Sequence, residues 1–322
     1  MPRVLSIQSH VVHGHVGNKS ATFPLQLLGF NVDPLNTVQF SNHTGYPSFT
    51  GERIDGDKLL ALVAGLEQNG ILPLYSHLLT GYLGRESILR GVIQVAAKLK
   101  SCLRPIVFLM DPVLGDNNSL YVPPELVPIY RDELCRLADI ITPNAFEAEL
   151  LAADSDTEQR PLKTLSDVVD TLARLHRLGP PCVVITSVDL DPASARLSLF
   201  ASHAPSRSMF KIDFPRLNGS FTGTGDLFAA VLIARVSSAS LAGISGGIDP
   251  SAFKSACEFA VATMHHVLTE TIETNNLHSN SSTDVKSVSS PADTKYRELS
   301  LVESKHWIES PTLQFFATDF SL

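Results

Sequence analysis

The sequence predicts an α/β domain with a central, largely parallel sheet covered by helices, and three observations support this fold class. Short apolar runs alternate with longer segments of helical periodicity along most of the chain. Several of these runs, such as Ile106–Met110 and Cys182–Thr186, are apolar almost throughout, which is typical of strands buried on both faces of a parallel sheet. Polar residues or glycines follow directly where the runs end, as they do at ligand sites of open α/β sheets.

The composition and charge of the chain limit the classes of protein to which it can belong. Its 322 residues are 44% hydrophobic, which is enough for a substantial buried core. The net charge of −8 comes without a cluster of basic residues, so binding to a nucleic-acid backbone is not expected. The amino-terminal residues lack the apolar stretch of a signal peptide, and no apolar run is long enough to cross a bilayer. The four cysteines lie far apart in sequence, as in proteins that keep free thiols. We therefore expect a soluble cytoplasmic protein with neither a nucleic-acid nor a membrane partner.

The first unit of the chain is a predicted strand, polar loop and helix. A β run over Arg3–Gln8 leads into the loop, and Asn18–Leu28 has the composition of a helix that stops at Gly29. The loop ends with Gly, Lys and Ser in residues 17–20, but the Gly-Lys pair and the spacing of a P-loop are missing. The loop histidines have no cysteine or carboxylate at a metal-binding spacing, so we interpret them as ordinary loop residues. They are His10, His13 and His15.

The later elements continue the alternation of strands and helices. Further strands are predicted at Val32–Phe40, Leu74–Thr80, Ile106–Met110, Ile140–Ile141 and Cys182–Thr186. Further helices are predicted at Asp57–Gln68, Glu86–Lys100, Leu126–Leu137, Leu165–Leu178 and Pro250–Glu270. Alternating apolar residues in Ala195–Ser202 and Ser208–Ile212 indicate a hairpin.

The carboxyl-terminal part of the chain differs in composition from the rest. Residues 275–294 are rich in Ser and Asn and nearly free of apolar residues, which predicts a disordered insertion. This insertion would divide a domain of residues 1–274 from a tail of residues 295–322. We expect a last helix at Glu298–Trp307, packed on the same domain.

The most informative stretch is the turn Gly223-Thr224-Gly225-Asp226, which precedes an apolar helix. The glycines allow the backbone to approach a ligand, and the first amides of the helix form an anion site. Asp226 adds a carboxylate beside that site, and a fixed phosphate next to a base suits phosphoryl transfer to a hydroxyl. An ordinary loop with Thr224 or Asp226 as the helix N-cap is the alternative.

Two other turns carry acidic residues in positions that fit a metal ion. Asp111 and Asp116 follow the predicted strand Ile106–Met110, and carboxylates of this kind suit Mg²⁺ bound to substrate phosphates. Glu147 follows the next strand and falls in the first turn of a helix. Turn formation or capping by Asp116, and a favourable helix-dipole contact of Glu147, remain alternatives.

Several motifs together resemble the pyridoxal kinases of the ribokinase-like superfamily. They are Ser6-Ile7-Gln8-Ser9-His10-Val11, Gln39-Phe40-Ser41-Asn42-His43-Thr44-Gly45-Tyr46, Leu79-Thr80-Gly81-Tyr82, Asp111-Pro112-Val113-Leu114-Gly115-Asp116, Ile141-Thr142-Pro143-Asn144, Phe146-Glu147-Ala148-Glu149-Leu150-Leu151 and Gly223-Thr224-Gly225-Asp226-Leu227-Phe228-Ala229-Ala230. The Gly-Thr-Gly-Asp turn marks only the superfamily. The Ser-Asn-His-Thr-Gly-Tyr loop and the Ser-Ile-Gln-Ser-His start are more specific to the vitamin B6 kinases. The resemblance spans roughly Arg3 to Thr271.

The resemblance implies a fold and a reaction. The fold is a three-layer sandwich in which helices flank a central, largely parallel sheet, and the usual assembly is a homodimer. The reaction is ATP-dependent phosphorylation of the 5′-hydroxymethyl group of pyridoxal, pyridoxine and pyridoxamine. A flat, apolar ring with polar edges fits a site made of an aromatic wall and a few hydroxyl groups.

The resemblance also implies roles for individual residues. Asp226 would be the base, and the anion hole would consist of Gly223, Thr224 and Gly225. The ring substituents of the substrate would be bound by Ser9 and Thr44, and the ring would lie against Val16, Phe40 and Tyr82. Mg²⁺ and a monovalent cation, K⁺ or another, would be held directly or through water by Asp111, Asp116, Thr142 and Glu147. The phosphates of ATP would face Asn144, Thr186, Ser187 and Thr224, and the adenine would lie near Leu217 and Phe221.

The sequence departs from the family pattern in places, and other functions remain open. The segment after Asp116 is short, Arg85 is displaced by one position, and Thr222 stands where valine is common. A hydroxymethylpyrimidine or sugar kinase of the same superfamily is one alternative, and a non-catalytic B6-binding protein is another. A dinucleotide-dependent oxidoreductase would need Gly-x-Gly-x-x-Gly after the first strand, and the chain lacks it there.

Overall fold

A computed structural model describes residues 1–102, 106–153, 160–240, 247–279, 294 and 298–321. Its strands are β1 (Arg3–Val11), β2 (Asn31–Phe40), β3 (Gly51–Arg53), β4 (His77–Thr80), β5 (Val107–Met110), β6 (Gly115–Asp116), β7 (Ser119–Leu120), β8 (Ile140–Ile141), β9 (Cys182–Val188), β10 (Arg196–His203), β11 (Ser208–Pro215) and β12 (Thr318–Asp319). Its helices are α1 (Asn18–Leu27), α2 (Gly56–Gln68), α3 (Glu86–Lys100), α4 (Leu126–Ile129), α5 (Ala145–Ala152), α6 (Leu165–Arg177), α7 (Thr224–Ser240), α8 (Pro250–Ser279) and α9 (Lys305–Glu309).

One sheet forms the centre of the molecule. Its ten strands lie in the order β12-β11-β10-β9-β8-β5-β4-β1-β2-β3. The six from β9 to β2 are parallel, whereas β10, β11 and β12 at one edge and β3 at the other are antiparallel. The separate pair β6–β7 is a short hairpin. The predicted parallel centre and the predicted β10–β11 hairpin are therefore confirmed.

Helices cover both faces of the sheet, because successive strand residues point to opposite sides. On one face Leu78 and Phe108 pack with side chains of α2, α3, α4, α5 and α6. On the other face Leu79 and Leu109 pack with α1, α7, α8 and α9. Each face buries its own apolar core, which confirms the predicted three-layer sandwich.

Some predicted elements differ from the structure for identifiable reasons. The predicted helix Leu126–Leu137 begins as α4 and continues as a wide π turn and a tight 3₁₀ turn, over Tyr130–Leu134 and Cys135–Leu137. The strand predicted from Leu74 begins at His77, because Leu72–Leu74 is a 3₁₀ turn with a proline.

The carboxyl-terminal part also differs from its prediction. Helix α8 continues to Ser279, so residues 275–279 of the predicted disordered insertion are helical. Residues 280–293 lie outside the described residues. The predicted helix Glu298–Trp307 is replaced by the shorter α9, and the chain then reaches the sheet edge as β12.

Two further features bear on the sequence predictions. Among the described residues, no helix combines the length and the apolar character needed to span a bilayer. All four cysteines are free thiols, and only Cys102 is not buried.

Candidate active site

The carboxyl ends of the parallel strands meet at one edge of the sheet, and the candidate site is built there. The segments that leave this edge are the loop after β1, the loop after β2, Gly81-Tyr82 after β4, Asp111 after β5, Thr142 after β8 and Ser187 near the end of β9. Helix α7 presents its amino terminus to the same edge, since Asp226 is hydrogen-bonded to the loop after β1. Turns that are far apart in sequence thus share one surface.

Asp226 is fixed by one oxygen and left open at the other. The backbone N–H of Gly17 donates to Oδ2 at 2.7 Å. Oδ1 faces Gly81, where an added Cβ would lie 3.3 Å from this oxygen and 2.5 Å from Oε1 of Gln8. Burial raises the pKa of Asp226, and the hydrogen bond from Gly17 partly opposes this rise. The result is an oriented carboxylate with one oxygen facing a position that carries no side chain.

The Gly223–Gly225 turn packs closely against the loop after β1. Gly223 has φ +83°, and an added Cβ would lie 2.0 Å from the carbonyl oxygen of His15. The carbonyl of Gly223 accepts the Leu227 N–H at 3.1 Å and the Ser20 hydroxyl at 3.1 Å. Because α7 starts at Thr224, its first amides have no partner inside the helix. The close packing and the unpaired amides are the features that an anion site needs, and anion binding by this turn stays a prediction.

Asp111 lies buried beside this turn. It is 6% exposed, Thr142 Oγ1 donates to its Oδ1 at 3.2 Å, and its Oδ2 would be 3.3 Å from a Cβ on Gly225. Burial raises the pKa of Asp111 well above its usual value, and the negative charges of Glu147 and Asp226 raise it further. A cation near Asp111 would therefore be electrostatically favoured.

Glu147 is committed to the backbone. Its Oε1 accepts the N–H groups of Leu114 at 2.9 Å and Gly115 at 3.3 Å, and its Oε2 accepts the Asn144 N–H at 2.9 Å. Asn144 completes a capping box at the start of α5 by accepting the Glu147 N–H at 2.9 Å. The amide of Asn144 also donates to the Gly115 carbonyl at 2.8 Å. Both side chains thus tie the strand-to-helix turn to the β6–β7 hairpin. Glu147 lies in the first turn of α5, as the helix-dipole alternative requires, and its hydrogen bonds add a capping role that the sequence analysis did not predict.

Asp116 is exposed and caps its own turn. Its carboxylate accepts the backbone and side-chain N–H groups of Asn117, at 2.7 and 3.1 Å. Asn117 and Asn118 have φ of +49° and +59°, as in a tight hairpin turn. The short segment after Asp116 is therefore the β6–β7 hairpin, and the turn-forming alternative for Asp116 matches its contacts.

A magnesium ion fits the oxygen atoms at Asp111 and Thr142 better than it fits all four predicted ligands, which also include Asp116 and Glu147. In the described part of the chain, no group of three or more His, Cys, Asp or Glu side chains is arranged to hold a metal. Mg²⁺ in phosphoryl-transfer sites needs only one or two carboxylates, because substrate phosphates and water supply the other ligands. Asp111, with Thr142 beside it, provides such a carboxylate next to the Gly223–Gly225 turn, which we call the anion turn.

The residues predicted to bind the ring lie in two groups. Val16 and Phe40 form a small buried cluster with Val11 and Val38. Ser9 lies against Gly17, where an added Cβ would be 2.4 Å from its hydroxyl.

The other two ring-binding predictions lie on flanking loops. Thr44 is exposed on the loop after β2, and the Tyr82 hydroxyl lies over Gly84. Tyr82 lines a cavity that also borders Val38 and Arg85.

The residues predicted to bind ATP lie along the other side of the edge. Thr186 bridges to Asn144 and donates its N–H to the Pro143 carbonyl at 2.9 Å. Ser187 is exposed and has φ +53°, an uncommon conformation that is frequent at ligand sites. Leu217 and Phe221 are half-buried before α7.

Sequence reasoning missed several groups that shape the site. Gln8 and Gly81 stand in front of Asp226, and Gly17 supplies the hydrogen bond that orients it. Glu298 reaches the loops after β1 and β2 from the carboxyl-terminal part of the chain. The glycine-rich motifs offered a signal for Gly17 and Gly81, whereas no local pattern marks Glu298.

Comparisons with known proteins agree with this architecture. The family model described as phosphomethylpyrimidine kinase matches residues 76–278. Pyridoxal kinase of Bos taurus is 42% identical, with 98% of each chain covered, and that of Arabidopsis thaliana is 41% identical, with 99% of this chain and 95% of the relative covered. The structure of pyridoxal kinase from Leishmania donovani in complex with ADP and pyridoxamine matches with a TM-score of 0.83 and 35% identity, covering 100% of both chains. Because the similarity extends over nearly the full length of these relatives, the chain belongs to the pyridoxal kinase family.

Proposed function

We propose that this chain transfers the γ-phosphoryl group of ATP to the 5′-hydroxymethyl group of pyridoxal, pyridoxine and pyridoxamine, with Asp226 as the base. The observation that carries the proposal is the geometry of Asp226, whose one oxygen is fixed by Gly17 and whose other oxygen faces Gly81. Two structures of one relative support the substrate class, because they show the pyridoxal kinase of Leishmania donovani in complex with ADP and pyridoxamine and with ADP and pyridoxine.

Asp226 and the first amides of α7 would act at different points of this reaction. Oδ1 of Asp226 accepts the proton of the 5′-hydroxyl while that oxygen forms a bond to the γ-phosphorus. The bond from the γ-phosphorus to the β–γ bridging oxygen breaks, and ADP leaves. The first amides of α7, at Thr224 and Gly225, donate to the phosphoryl oxygens as negative charge is redistributed.

The cations of the reaction would be held next to this turn. Asp111, with Thr142 beside it, would bind Mg²⁺ together with phosphate oxygens. The ion supplies neutralisation of the phosphate charge. A monovalent cation, K⁺ or another, is the second cation that the family resemblance implies, and measuring turnover with K⁺, with Na⁺ and with neither tests it.

Assembly and location belong to the same proposal. The family resemblance favours a homodimer, which light scattering of the full chain tests. A cytoplasmic location fits the free cysteines and the sequence composition, and fractionation of cells that express the chain tests it.

The test is turnover of Asp226→Ala with pyridoxal. We expect kcat to fall by about 10²–10⁴, because a positioned base contributes this much, while ATP binding changes little. Asp57→Ala, which removes an exposed carboxylate from α2, serves as the control and should keep parent turnover. Near-normal turnover of Asp226→Ala would show that the role assigned to Asp226 is wrong.

A substrate comparison tests the other half of the proposal. The match to the phosphomethylpyrimidine kinase family makes hydroxymethylpyrimidine the competing substrate. Turnover of pyridoxal and pyridoxine without turnover of the pyrimidine is expected. The reverse preference would contradict the B6 assignment but leave phosphoryl transfer in place.

A further inference from the structure

Glu298 joins two loops of the site from the opposite end of the sequence. Its Oε2 accepts the backbone N–H of His15 at 2.8 Å, across 283 residues. Its Oε1 accepts the Tyr46 hydroxyl at 3.0 Å and lies 3.3 Å from His43 Nε2. His15 belongs to the loop after β1, and His43 and Tyr46 belong to the loop after β2. One carboxylate thus contacts both loops that border the proposed ring site.

The contact is buried and closely fitted. The side chains of Glu298 and His43 are 11% and 8% exposed. Gly14 has φ +91°, and an added Cβ there would lie 2.2 Å from Oε1 of Glu298. Such fit distinguishes this contact from an exposed ion pair, which stabilises little.

The loop that Glu298 holds also holds the proposed base. The carbonyl of His15 lies against Gly223, and the N–H of Gly17, two residues further on, donates to Asp226. A shift of His15 therefore moves the group that orients Asp226 and the wall of the anion turn together. The contacts with His43 and Tyr46 fix the loop that carries Thr44.

We propose that Glu298 is a positioning residue for phosphoryl transfer, which sets the B6-vitamer side of the site through the loops after β1 and β2. The inference rests on the proposed function of Asp226. Because Glu298 contacts these two loops directly and reaches the Gly223–Gly225 turn only through His15, its loss should change pyridoxal kinetics more than the affinity for ATP.

The experiment measures kcat and both KM values of the full-length chain carrying Glu298→Ala. We expect kcat/KM for pyridoxal to fall about ten- to a hundredfold, since displacement by about 1 Å costs up to this much, with a smaller change in KM for ATP. Glu309→Ala, which removes an exposed carboxylate from α9 in the same part of the chain, is the matched control and should behave like the parent.

A second variant keeps the test decisive if Glu298→Ala fails to fold. Tyr46→Phe removes one contact of Glu298 and leaves the His15 contact, so KM for pyridoxal should rise while kcat stays near the parent value. The inference is overturned if the KM values for pyridoxal and ATP rise in parallel. It is also overturned if kcat/KM changes no more than in Glu309→Ala. Turnover of Asp226→Ala distinguishes failure of this inference from failure of the proposed function. If Asp226→Ala is inactive and Glu298→Ala behaves like the parent, only the role of Glu298 is refuted. If Asp226→Ala is active, the role of Asp226 as the base is refuted.

Discussion

Replacing Gly223 with alanine tests whether the close approach between the anion turn and the loop after β1 is required for turnover. Alanine at φ +83° adds about 1–2 kcal/mol of backbone strain. Its Cβ would also lie 2.0 Å from the His15 carbonyl, whereas ordinary contacts begin at 3.4 Å, so the turn or the loop must move by more than an ångström. Because Gly17 on that loop orients Asp226, we expect kcat/KM for pyridoxal to fall by about 10².

Gly29→Ala provides the matched control for this prediction. Gly29 has φ +88° at the end of α1, and an added Cβ would meet no atom within 4 Å. Both variants should lose free energy of unfolding to backbone strain, measured by urea denaturation, and Gly223→Ala should lose more because of its contact with His15. Only Gly223→Ala should lose turnover, measured by release of ADP. Parent-like turnover of folded Gly223→Ala, or an equal loss in Gly29→Ala, would refute the reasoning from close approach.

Three further predictions concern stability. Burial lowers the pKa of His77 from 6.5 to about 4 in the folded protein. Because His77 then binds a proton more readily in the unfolded chain, the free energy of unfolding should fall by up to about 3 kcal/mol as pH falls from 6.5 towards 4. In urea denaturation at about pH 7.5 and about pH 4.5, His77→Gln should show a smaller pH difference, and an unchanged difference would contradict the prediction. Glu147→Ala leaves three backbone N–H groups without their acceptor. Each of these N–H groups that stays buried should lower the free energy of unfolding by about 1–3 kcal/mol. A total loss below about 1 kcal/mol in urea denaturation would count against the capping role. Asn118→Ala places alanine at φ +59° and should cost about 1 kcal/mol, seen as a lower Tm; an unchanged Tm would show that the turn relaxes.

The sheet and the central turn could be predicted because their signals are local. Continuous apolar runs such as Ile106–Met110 need burial on both faces, which the centre of a parallel sheet provides. The Gly-Thr-Gly-Asp turn indicates close backbone approach and helix initiation without reference to the rest of the chain. The segment Leu126–Leu137 illustrates the limit of this reasoning, because its helical periodicity does not report that the backbone changes from an α-helix to a π turn and a 3₁₀ turn.

The roles of the acidic residues were harder to predict because one residue type serves several purposes. Glu147 follows Asn144 at the spacing of a capping box, yet a carboxylate in a first helical turn is equally compatible with a nearby cation. Only the three-dimensional contacts distinguish the two. Glu298 could not be predicted at all, since its partners His15 and Tyr46 lie 283 and 252 residues away.

The environment of Asp226 is consistent with its proposed role as the base. A base is most effective when its pKa approaches the working pH, and an exposed aspartate is too weak for this. Burial makes Asp226 a stronger base, but burial alone would favour the protonated form, which cannot accept a proton. The N–H of Gly17 stabilises the charged form and occupies Oδ2, so the proposed proton transfer would go to Oδ1 on the side of Gly81. If Asp226 is the base, the loop after β1 sets both its strength and its direction. The proposed positioning role of Glu298 follows from its contact with that loop.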